Sequence, residues 1–85
     1  MYRWELDEPA YGEFAGLDQG ARKALADFMD AVVIVDPAEY QRRPGEPGRS
    51  IRTLPFGPHS QGLATFLIYP HDDLVLVVKI QWLGD

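Results

Sequence analysis

The sequence predicts an α+β fold: an N-terminal strand, then a two-helix hairpin packed on one face of a small, mostly antiparallel sheet. Three observations carry this. Gly62 to Tyr69 and Leu74 to Leu83 are runs rich in β-branched and aromatic residues, split by the turn-formers Pro70-His71-Asp72-Asp73, as in an antiparallel hairpin. Tyr2, Trp4 and Leu6 alternate with Arg3 and Glu5, the period of a half-buried strand. Ala21, Leu25, Phe28, Met29 and Val32 recur at helical spacing.

Taken in order, the strand at Tyr2 to Leu6 is broken by Asp7-Glu8-Pro9, which also suits a helix start, since proline and acidic groups favour the first turn. A first helix is expected from Pro9 to Ala15, turning Tyr11 and Phe14 inward and ending at Gly16. Asp18 is the expected N-cap of the second helix; the small and β-branched residues Ala31 to Val35 suit either its end, the favoured reading, or a separate strand. Asp36-Pro37-Ala38-Glu39 has the order of a further capped turn reaching Arg43, and Pro44 to Gly48 is loop. Ser50 to Phe56 reads as a strand that Pro55 places at a sheet edge, and Gly57 to Gly62 connects it to the hairpin. In the last strand Leu74, Leu76, Val78, Ile80 and Trp82 share one face. The other face starts apolar at Val75 and Val77 and turns polar at Lys79 and Gln81, which predicts a central strand, covered on both sides at its start.

Eighty-five residues are expected to form one domain, burying roughly 60 to 65% of the unfolded chain's surface. A partner that adds buried area would then matter for stability. With no cysteine the chain has neither a disulfide framework nor a thiolate metal site, which fits a reducing cytoplasm. No signal-peptide pattern is expected at Met-Tyr-Arg-Trp-Glu, and no apolar run approaches the ~20 residues of a membrane span. The net charge of −5 is unevenly spread: three basic and nine acidic residues over 1–40, four and one over 41–60, one and three over 61–85. A basic segment of this size acts locally on a polyanion, because charges are screened beyond about 8 Å. Four arginines still supply few phosphate contacts.

Strand, helical hairpin, basic loop and three antiparallel strands in this length resemble the RelE/ParE superfamily of toxins from type II toxin-antitoxin pairs. The likeness lies in Tyr2-Arg-Trp-Glu-Leu-Asp-Glu-Pro-Ala10 as opening strand and helix start and Gly16-Leu17-Asp18 as the inter-helix corner. Phe66-Leu67-Ile68-Tyr69 and Leu76-Val77-Val78-Lys79-Ile80 stand as the last strands. The resemblance implies a toxin neutralised by a cognate antitoxin, touching DNA only indirectly through it and, in the RelE branch, cutting mRNA on the ribosome. It also admits a catalytically degenerate antitoxin-binding co-repressor or an inhibitor of DNA gyrase. The chain departs from the family where an arginine usually precedes the third-strand run, here Thr65 or Phe66. It departs again after the last strand, where Gln81-Trp82-Leu83 replaces a basic segment with a tyrosine.

Attack of a 2′-hydroxyl needs a proton acceptor, a proton donor and positive charge on the phosphate. Arg49, Arg52 and Lys79 are the candidates for that charge, and His59, an imidazole in a glycine-bracketed loop, for proton transfer. Arg42 and Arg43 are candidates for RNA backbone or antitoxin contact, and Trp82 for base stacking. The plainer readings stand beside these: solvated charges at strand ends, an exposed loop histidine, and a tryptophan that is the last rung of a packed face. His71 beside Asp72 and Asp73 belongs to a surface turn, and no spacing matches a metal site, so neither metal nor cofactor is expected.

Overall fold

The computed structural model describes residues 1–37 and 51–84. Strands β1 (Arg3–Leu6), β2 (Ile51–Phe56), β3 (Gly62–Tyr69) and β4 (Leu74–Trp82) form one sheet in the order β1-β4-β3-β2. β1 runs parallel to β4, and the other pairs are antiparallel. Helices α1 (Glu8–Ala15) and α2 (Gln19–Phe28), the second extended by a π-helical turn at Met29–Val33, cover one face. The α+β architecture, the central β4 and the edge position of β2 with its Pro55 agree with the sequence. The expected turn through Arg43 and the loop at Pro44 to Gly48 lie outside the described residues.

Two aspartates set the helix starts. Asp7 stays extended and accepts the Ala10 amide at 2.9 Å, while its own amide donates to the Val77 carbonyl at 3.0 Å. One residue thus closes the parallel ladder and opens α1. Asp18 accepts the Ala21 amide at 2.8 Å, and Arg22 Nε donates to the Leu17 carbonyl at 2.9 Å, binding the corner to α2.

The core lies between the helices and the sheet: Leu25, Met29 and Val33 meet Phe66, Val75 and Val77. Three expectations are corrected here. Tyr11 is not inward but 66% exposed; the inward residues of α1 are Ala10 and, half-buried, Phe14, and the small Ala10 suits close packing of α1 on β4. Val32 is exposed and Val33 buried, because the π turn, closed by the Ile34 amide on the Met29 carbonyl, carries an extra residue.

The third correction concerns β4. Its core face begins with Val75 and Val77, not with Leu74, Leu76 and Val78, and only then passes to Ile80 and the half-buried Trp82. A β-bulge causes the switch: Phe66 pairs with Val77 and Thr65 with Lys79, so Val78 has no partner on β3. Leu74, Leu76 and Val78 are half-buried on the side of the sheet away from α1 and α2, and among the described residues no helix covers the start of β4 there.

Candidate functional site: the open face of the sheet

Strand pairing assigns the side chains of the face opposite α1 and α2. Thr53, Thr65 and Lys79 stand in one row across β2, β3 and β4, with Thr53 and Thr65 hydroxyls 2.8 Å apart. Pro55, Leu63 and Gln81 form the row on one side. Ile51, Leu67, Leu76 and Glu5 form the next row on the other. Leu63, Leu67, Leu76 and Tyr69 are half-buried yet stand outside the core cluster, and Ile51 is 46% exposed. The face is therefore largely apolar across β3, with the Thr53-Thr65-Lys79 row crossing it and Gln81 and Glu5 polar in the flanking rows. Arg3 and Glu5 neutralise each other at 2.8 Å near the β1 edge. Lys79 is exposed, and no carboxylate among the described residues pairs with it.

The remaining candidates do not converge on Lys79. Arg52 pairs with buried Phe66, which puts it on the helix side of the edge strand, and its Nη1 donates to the Ile51 carbonyl at 2.9 Å. Trp82 packs on Phe56 at 5.7 Å between ring centroids, and Phe56 on Phe28 at 6.1 Å, so the tryptophan ring belongs to the helix-side aromatic stack. His59 sits in the β2–β3 turn, where its amide donates to Gln61 Oε1 at 2.9 Å. Arg42, Arg43 and Arg49 lie outside the described residues. A groove of about 450 Å³ runs between α2 and the β2–β3 turn, floored by Phe28 and Pro58, and it too is on the helix side.

Sequence reasoning missed two groups. Thr53 and Thr65 read as ordinary strand residues until the register sets them side by side. Glu13, from α1, accepts the Ile80 amide through Oε1 at 2.8 Å just past the bulge. Its spacing of three from Ala10 and four from Leu17 is the available signal that it faces the sheet. Among the described residues no cluster of His, Cys, Asp or Glu is arranged to hold a metal ion, and no helix is long and apolar enough to cross a membrane.

These features define a RelE-like fold, as the sequence resemblance implies. The chain superposes over 100% of its length on 100% of a chain from the intact E. coli RelBE toxin-antitoxin complex, with a TM-score of 0.69 and 17% identity. The isolated E. coli RelE toxin gives 0.70 and 17% identity, with 100% of this chain and 87% of that one covered. No protein-family profile matches the chain, and no curated protein matches it in sequence.

Proposed function

We propose that the chain is the toxin of a type II toxin-antitoxin pair, cutting ribosome-bound mRNA in the cytoplasm and held inactive by a cognate antitoxin. The observation that carries this is the RelE-like fold over the whole chain. Its open sheet face, with Lys79 in the polar row, is the surface offered to RNA; Arg42, Arg43 and Arg49 are proposed as further cations for the RNA backbone. His59 and Trp82, placed at the turn and on the helix side, have no role in this reading. The test is tightly regulated expression of the chain alone, scored for growth arrest and for new mRNA ends, with relief by the product of a neighbouring gene. Arrest with intact mRNA would instead favour inhibition of gyrase.

A second reading is supported by the placement of Arg52 and Lys79 on opposite faces. Cations so divided do not act on one phosphate, which suits a degenerate member that only binds its antitoxin. A chain that is harmless alone yet forms a stable complex with the neighbouring product would establish that reading over the first.

A further inference from the structure

β4 carries one residue more than β3 has partners for, and that residue is Val78. Before it, Val75 and Val77 are buried; after it, Ile80 is buried and Lys79 is exposed. Without Val78 the strand would read Leu-Val-Leu-Val-Lys-Ile-Gln-Trp. That is regular alternation, with Val75, Val77, Ile80 and Trp82 on the core side and Lys79 still on the open side. Side-chain sorting therefore does not require the bulge. A bulge bends its strand, raises the local twist and re-aims the side chains next to it, and the neighbour here is Lys79, the exposed cation of the open face.

Glu13 supplies the second observation. It stands in the last turn of α1, where a carboxylate opposes the helix dipole and no basic residue offsets it. A residue placed against its local preference is commonly serving another contact. That contact is the Ile80 amide, 67 positions away and just past the bulge. The last pair of β1 with β4 is Leu6 with Val77, so beyond it no strand among the described residues bonds to the β1 side of β4. Glu13 stands in for one.

We propose that the bulge at Val78, clamped by Glu13 through the Ile80 amide, sets the angle at which Lys79 is presented on the open face, with Glu13 as a positioning residue. The functional part of this rests on the open face being the working surface of the toxin.

The test uses the full chain carrying Glu13→Ala, Glu13→Gln or deletion of Val78. Three readouts are taken: hydrogen exchange at the Ile80 amide, growth arrest, and acylation of Lys79 by acetic anhydride relative to Lys23, the chain's other lysine. Glu13→Ala should speed Ile80 exchange about tenfold and shift the Lys79 to Lys23 ratio. Glu13→Gln still offers an oxygen and should restore both. The Val78 deletion should fold with a Tm at or above wild type yet lose arrest about tenfold or more, as misaimed groups do. A wild-type Lys79 ratio in Glu13→Ala, or full arrest by the deletion variant, would overturn the proposal. So would a deletion variant that cannot fold, because the bulge would then belong to the fold itself. If wild type does not arrest growth, the toxin reading falls, while the Ile80 and Lys79 measurements still decide the positioning claim.

Discussion

A methyl group added at Gly62 would have nowhere to go. Its Cβ would lie 2.4 Å from Cε1 and Cζ of Phe56, the residue paired with it across β2 and β3. That ring is held between Phe28 and Trp82 and has little room to yield. Gly62→Ala is therefore expected to cost about 1 to 3 kcal/mol through overpacking. Urea unfolding checks it, and a change near zero would mean the aromatic stack shifts freely. The bulge sorts the neighbouring side chains just as sharply. Ile80→Ala should cost roughly 2 to 5 kcal/mol by leaving a cavity among buried residues, whereas Lys79→Ala should stay within about 0.5 kcal/mol. Equal losses at the two positions would show that the strand has been placed in the wrong register.

At the scale of elements, the Asp18 cap, the corner at Gly16 and the edge strand with Pro55 were legible because each rests on local backbone chemistry. Asp18→Ala should accordingly destabilise by about 1 kcal/mol, read as a drop in melting temperature. A variant as stable as wild type would show that the bond to Ala21 contributes nothing net. The bulge and the π turn were hidden for the opposite reason. Val78 beside Val77 is equally acceptable to a continuous strand, and only pairing with Thr65 and Phe66 reveals the extra residue. Val32 and Val33 are chemically identical, so the residue facing the core depends on where the helix widens. Both irregularities need the partner element to be seen. The candidate site was half legible on the same account: Lys79 announced itself by charge, while Thr53, Thr65 and Glu13 acquire meaning only through contacts across the fold.

For the whole molecule, the decisive geometry is that the helices occupy one side of the sheet and the polar row the other. If an antitoxin covers the open face as proposed, it should exclude water from half-buried Leu63, Leu67 and Leu76, raising the melting temperature of the complex over that of the isolated chain. The same two-sidedness sharpens the test of catalysis. If RNA is cut on the open face, Lys79 contributes positive charge to the phosphate as it gains negative character. Removing one preorganised donor from such a site costs ~10²-fold or more in rate. Lys79→Ala should then abolish growth arrest while the protein stays folded and antitoxin-bound. Arg52 stands on the helix side, with its guanidinium turned back to the Ile51 carbonyl, so Arg52→Ala should leave arrest within a few-fold of wild type. Equal loss in both variants would mean that the RNA wraps the β2 edge and touches both faces. Full arrest by Lys79→Ala with its fold intact would remove the open face from the chemistry and shift attention to the arginines at positions 42, 43 and 49.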